Sequence, residues 1–131
     1  MIGINIQTPW SQLLIDSDKC VETRSYPLPD KYIGEELVLI ETPGKNGKFK
    51  ARIIGTITFS HSFKYNSIQE WKNDYNRHRV SEDSEFGWNE KKNKYGWVVS
   101  EIFKLEQHYP APTNKGIIFT HNCEMIAPTG V

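Results

Sequence analysis

Gln7-Thr8-Pro9-Trp10, then Leu13-Leu14-Ile15, then Lys19-Cys20-Val21-Glu22-Thr23-Arg24-Ser25: this early stretch decides how the rest of the chain is read. Just ahead of it, residues 2–7 alternate apolar and polar side chains (Ile2, Ile4, Ile6) and predict a strand. Thr8-Pro9 predicts a helix start, with Thr8 as N-cap and Pro9 at the first helical position. Trp10, Leu13 and Leu14 recur at helical spacing, which gives a short helix one apolar face. That helix should end near Asp16-Ser17-Asp18, and residues 20–25 then predict a short strand with Val21 pointing inward. On this strand Glu22 and Arg24 share one face and Thr23 faces the other, because side chains alternate with a period of two. Lys19 lies just before the strand, where the chain turns, and is placed to converge on the same spot.

Three ionisable groups within six residues admit two readings. A cation pair around one carboxylate can bind phosphate or hold the carboxylate as a general base. A lysine close to a second cation also suits catalysis, because its pKa falls. The alternative is a solvated ion-pair network on a rim. Spacing alone leaves both open.

Downstream, Tyr26-Pro27-Leu28-Pro29-Asp30 reads as a stiff loop, and residues 36–41, with Leu37-Val38-Leu39-Ile40, as a strong strand. Residues 42–47 (Thr-Pro-Gly-Lys-Asn-Gly) predict a turn. Residues 49–59 predict a long strand that Gly55 kinks or bulges. Ser67 and Glu70 form a capping-box pattern ahead of Ile68 and Trp71, so a helix is expected there. Residues 76–94 are charged and aperiodic. They predict a loop or short helix over the fold that carries Phe86 and Trp88. Residues 95–105 and 116–120 predict the last two strands, followed by a ragged tail.

The chain has 131 residues, which suits a single domain over 1–131. Its 16 basic and 16 acidic residues cancel, which counts against a protein that coats nucleic acid by bulk charge. Any nucleic-acid role must therefore rest on a local site. Cys20 and Cys123 stand far apart and form neither a zinc motif nor a disulfide framework. A reduced, cytoplasmic setting is the expectation, with no signal peptide pattern and no apolar run long enough for a membrane span. His61, His78, His108 and His121 are scattered without metal-ligand spacing. No metal and no cofactor are expected, and G-x-G-x-x-G and P-loop motifs are absent.

The opening stretch resembles the ASCH signature, in which a Q-P-W or Q-P-Y turn precedes a short helix and then G-x-K-x-V-E-x-R. Residues 34–40, Tyr95-Gly96-Trp97-Val98-Val99, Leu105, Pro110 to Pro112 and Lys115-Gly116-Ile117 look like later elements of the same family. The resemblance covers most of the chain and is weakest over about residues 60–93. Two departures stand out: Ser17 replaces the motif's glycine, and Thr8 is inserted between Gln7 and Pro9. The resemblance implies an α+β, mainly β fold: a small PUA-like β-barrel of five to six strands, with a short N-terminal helix, an inserted helical region and a cleft beside the first helix. It associates the chain with RNA binding. In one enzymatic branch small members hydrolyse N4-acylated cytidines, using a lysine and a threonine of this motif. Lys19 matches the lysine, but Glu22 stands at the threonine's position and cannot act as a hydroxyl nucleophile. Another branch is described as cutting RNA.

The leading expectation is an RNA- or nucleotide-binding module. Lys19, Glu22, Arg24 and Ser25 would line its cleft, with Trp10 or Trp88 at the mouth to stack on a base. Trp10 also fits a core role, given Leu13 and Leu14 on its helix face. Trp88 and Phe86 fit either a stacking lid or a cap on the barrel. The alternative is an enzyme acting on RNA or a modified nucleoside, with Glu22 as general base and Lys19 stabilising developing charge. A third reading is a protein-interaction domain using exposed Phe86 and Trp88. Two basic clusters, Lys45-Lys48-Lys50-Arg52 and Arg77-His78-Arg79, either contact phosphates or are solvated surface.

Overall fold

The structure is a computed structural model and describes residues 1–45, 47–113, 116 and 118–125. Asn46 of the predicted turn, Lys115, Ile117 of the predicted last strand and the tail 126–131 lie outside the described residues. The elements in chain order are β1 (Gly3–Gln7), α1 (Trp10–Ile15), β2 (Val21–Arg24), a 3-10 turn (Asp30–Tyr32), β3 (Glu36–Thr42), β4 (Arg52–Tyr65), α2 (Ile68–Asn73), α3 (Tyr75–His78), β5 (Lys94–Pro110) and β6 (Phe119–Thr120). They form one six-stranded mixed sheet in the order β2-β5-β4-β3-β1-β6. The β1/β3 pair is parallel and the others are antiparallel.

The expected closed barrel is not what the pairing shows. Among the described residues no ladder joins β2 to β1 or β6, so the sheet has two edges. It nevertheless curls around one core. Register shifts at Leu39/Ile40, Ile53/Gly55, Thr58/Phe59 and Phe59/His61 bend β3 and β4 as bulges do. Gly55, expected to be a kink, sits at one of them. A Cβ there would lie 2.3 Å from the Phe103 carbonyl oxygen and 2.5 Å from Ile15 Cδ1, so only glycine admits β5 and α1 so close. Side chains span the gap: Phe119 of the edge strand β6 stacks on Trp97 of β5, the neighbour of the other edge strand β2, with centroids 6.2 Å apart.

The main core gathers Ile4, Ile6, Leu14, Leu37, Leu39, Ile54, Ile57, Phe59 and Trp97. Val38, Ile40, Ile53 and Cys123 form a smaller cluster on the opposite face of β3. The unbroken apolar run 37–40 follows from this, because β3 is covered on both sides. Tyr65, Trp71 and Val80 form a third cluster under α2. α2 begins as predicted, with Ser67 Oγ accepting the Glu70 amide at 3.1 Å. α1 differs by one position at its start. Pro9 occupies the N-cap after a cis Thr8–Pro9 bond, and Thr8 does not cap. Instead Ser11 and Gln12 donate to Glu41 Oε2 at 2.7 and 2.6 Å, which ties α1 to β3.

Candidate functional site

The turn after α1 aims the motif. Asp18 N and Lys19 N both donate to the Leu13 carbonyl, at 2.8 and 3.0 Å. Ser17, where the resemblance expects glycine, adopts φ 64°. That is the left-handed region glycine enters without cost, so the serine keeps the turn's shape.

Lys19 is then carried inward. Its side chain is 0% exposed, its Nζ lies 3.4 Å from Glu22 Oε1, and it donates to the His78 carbonyl. Burial pushes the Lys19 ammonium below its ordinary pKa, and Glu22 opposes that shift. The second Glu22 oxygen, Oε2, accepts from Arg24 at 2.9 Å. The Arg24 guanidinium also donates to the Asn5 carbonyl of β1 at 3.0 Å and lies over Trp97, 5.7 Å from the ring centroid. Arg24 therefore reaches across the gap in the sheet, from the edge strand β2 to β1, the neighbour of the other edge strand β6.

A cavity of about 590 Å³ opens at this seam. β1 contributes Asn5, Ile6 and Gln7; β2 contributes Glu22, Thr23 and Arg24; Trp10, Thr42, Val80, Phe86 and Gly116 complete the wall. Trp10 is held there by a bond from its Nε1 to the Arg79 carbonyl (3.4 Å) and by an edge-on contact with Phe86, centroids 5.2 Å apart. The Gln7 side chain packs on Gly44, where a Cβ would sit 2.6 Å from Gln7 Nε2.

The three motif charges are thus joined in one chain, but not on one surface. Glu22 and Arg24 border the cavity, while Lys19 lies behind them. Thr23, expected on the far face, also borders the cavity, which runs along the edge of β2. Ser25 does not reach it and borders a neighbouring hollow. Trp88 packs towards Trp71 and donates to Glu90 at 2.9 Å, and Phe86 takes the place at the cavity. Of the basic clusters, Lys45, Lys48 and Lys50 are exposed, while the arginines Arg52 and Arg77 are engaged within the protein. Arg52 pairs with Glu41 and Arg77 with Asp74, while His78 is fully buried. No metal-ligand cluster is found among the described residues.

Two polar centres had no spacing signature. Glu41, 1% exposed, accepts from Ser11, Gln12 and Arg52. Burial would push its pKa up, but these donors hold it below the ordinary value. Glu41 is in phase with Leu37 and Leu39 on β3, and this placed it on the core face. His78 donates from Nε2 to the Trp71 carbonyl (2.7 Å), and its Nδ1 accepts the Val80 amide (2.9 Å). Since the carbonyl can only accept, the ring is neutral with its proton on Nε2. Burial lowers its pKa.

No protein-family model and no curated protein matches this sequence. The solved structures do. An ASCH protein from Zymomonas mobilis superposes with a TM-score of 0.56 at 15% identity, covering 81% of this chain and 74% of that one. Two single-substitution variants of the same protein give TM-scores of 0.59 and 0.61, at 14% and 13% identity, covering 80% and 83% of this chain and 70% and 74% of theirs. This chain has an ASCH-like fold. The ASCH-like sheet accounts for the position of the cleft, which opens where the edge strand β2 faces β1, beside the other edge strand β6, with no ladder joining them among the described residues. Among the described residues of the ASCH-like chain no helix is long and apolar enough to cross a membrane.

Proposed function

We propose that the seam cavity binds RNA or a nucleotide, and that it takes a single base with its sugar. The observation that carries this is the composition of its wall. The charged pair Glu22–Arg24 stands on one side, and the aromatic edge of Trp10 and Phe86 on another, around about 590 Å³. Small-molecule sites commonly span about 300–1,000 Å³ and combine apolar walls with a few fixed polar groups. An unstacked base is recognised by this combination, through its flat face on an aromatic ring and its edge on amides and charges. The association of ASCH domains with RNA agrees with it.

The geometry favours binding over catalysis. Both Glu22 oxygens already accept from cations, at 3.4 and 2.9 Å, which leaves the carboxylate poorly placed to collect a proton. Lys19 is sealed from the cavity and cannot meet charge developing on a substrate. Lys19 is therefore a positioning residue that fixes Glu22, and Arg24 is the cation a ligand would touch.

Fluorescence titration with the four ribonucleosides and with short single-stranded RNA tests this. Phe86→Ala should weaken binding by about 1–3 kcal/mol, the usual worth of one base stacked on an aromatic ring. Equal affinity in wild type and Phe86→Ala, with the fold confirmed by circular dichroism, would put the ligand elsewhere.

A further inference from the structure

The cleft continues past the Arg24 wall. A second hollow of about 320 Å³ opens on the other side, and Thr23, Arg24 and Phe86 border both. The second hollow is lined by donors: Ser25, Tyr26, Asn89, Lys92 and Lys94. Neither lysine makes an ion pair among the described residues. Lys94 Nζ gives one proton to the Phe86 carbonyl at 2.8 Å and keeps two for a ligand. Glu85 is the one carboxylate on the rim, and Lys45 lies 3.9 Å from it.

Two buried polar atoms at this place have no hydrogen-bond partner among the described residues, Arg24 Nε and the Tyr26 hydroxyl. The two side chains are neighbours: burial raises the Tyr26 pKa, and the Arg24 guanidinium opposes the rise through its charge and a side-chain contact with the hydroxyl. Both atoms are sealed from solvent and mark a polar corner of the wall, and the charge of Arg24 is what an oxyanion in the hollow would meet.

We propose that this second hollow is a phosphate subsite. The ligand is then a nucleotide or RNA strand whose base occupies the first cavity and whose phosphate crosses Arg24 to meet Lys92 and Lys94. The proposal rests on the nucleotide reading of the first cavity. It replaces Lys19, which is sealed, with Lys92 and Lys94 as the cations that meet phosphate.

Calorimetry on the full chain tests it with the four ribonucleosides, their 5′- and 3′-monophosphates, and inorganic phosphate. For at least one base, a monophosphate should bind about tenfold or more tighter than its nucleoside, as charge-assisted bonds to phosphate imply. That ratio should fall below about threefold in Lys94→Met and in Lys92→Ser, the latter an exposed residue whose loss spares the fold. Inorganic phosphate should compete with the monophosphate. Equal affinity for nucleosides and monophosphates would overturn the subsite and leave the base cavity standing. A ratio unchanged by both lysine variants would overturn the placement of phosphate. Absence of binding by every nucleoside and nucleotide would overturn both readings together.

Discussion

Replacing Lys19 by methionine isolates the buried ion pair behind the cleft. The Lys19 side chain is 0% exposed, and it holds Glu22 Oε1 at 3.4 Å and the His78 carbonyl. Removing one partner of a buried pair costs about 3–5 kcal/mol when the other charge is stranded. Glu22 is not fully stranded, since Arg24 remains at 2.9 Å, and methionine refills most of the lysine stem. A cost just below that range, about 2–3 kcal/mol, therefore applies. The His78 carbonyl loses its side-chain donor, which adds about 1 kcal/mol. The sum is about 3–4 kcal/mol, or a Tm drop of about 10–15 °C for a domain of this size. Urea titration followed by tryptophan fluorescence measures it. The double variant Lys19→Met/Glu22→Gln should be about 1–3 kcal/mol more stable than the sum of the single changes predicts, since it leaves no uncompensated carboxylate. A Lys19→Met protein within about 0.5 kcal/mol of wild type, or strict additivity in the cycle, would refute the internal ion pair.

Other outcomes follow from the same geometry. Arg24→Ala should both loosen the seam and weaken ligand binding, whereas Arg24→Lys should recover little of either. An ammonium cannot serve Glu22 and the Asn5 carbonyl in the guanidinium's planar fork; thermal melts and titrations on both variants check this. Burial depresses the folded-state pKa of His78 below its ordinary 6.5. Its contribution to stability is thus complete above about pH 6.5 and is lost as pH falls below that, when the unfolded chain binds the proton that the fold resists. Tm measured from pH 8 to pH 5 should decline over this window, and the decline should vanish in His78→Asn. Glu41 and Asp74 also have folded pKa values below ordinary, so their contributions are present above about pH 4.5 and disappear on further acidification. Glu41→Gln should remove part of that second, acidic loss in a pH-dependent urea series.

What the sequence disclosed was set by how locally each feature is determined. The strand 3–7, the helix after Pro9, Val21 facing inward, the bulge at Gly55 and the Ser67 cap all depend on side-chain period or local backbone chemistry, and they appear where the pattern places them. β4 runs on to Tyr65 and β5 on to Pro110, beyond their predicted ends. The β5 extension is polar and largely exposed and the β4 extension buries Tyr65 alone, so their pairing rests chiefly on backbone bonds such as Lys64 with Tyr95. Burial writes no period there. Barrel closure was expected from the number of strands and from the resemblance, and the pairing leaves the ends apart.

The candidate site was legible to the same degree. Glu22 and Arg24 share a strand face, which alternation alone provides, and both border the cavity. Lys19 turns inward because a left-handed Ser17 redirects the chain, and that torsion is invisible in a serine. Phe86 reaches the cavity in place of Trp88 because Trp88 is drawn to Trp71, a contact between segments that no spacing rule connects. The second hollow gathers residues 23–26 with residues 85–94, and only the β2/β5 pairing brings these together.

The seam between β1 and β2 carries one further consequence. Among the described residues the charged group that ties it is Arg24, which reaches from the edge strand β2 to the Asn5 carbonyl of β1. A molecule seated against Arg24 would act as a wedge glued into a split ring, stiffening the hoop as well as filling the gap. Occupancy should therefore slow amide exchange in strands that never touch the guest, and heat resistance becomes a direct gauge of what fits.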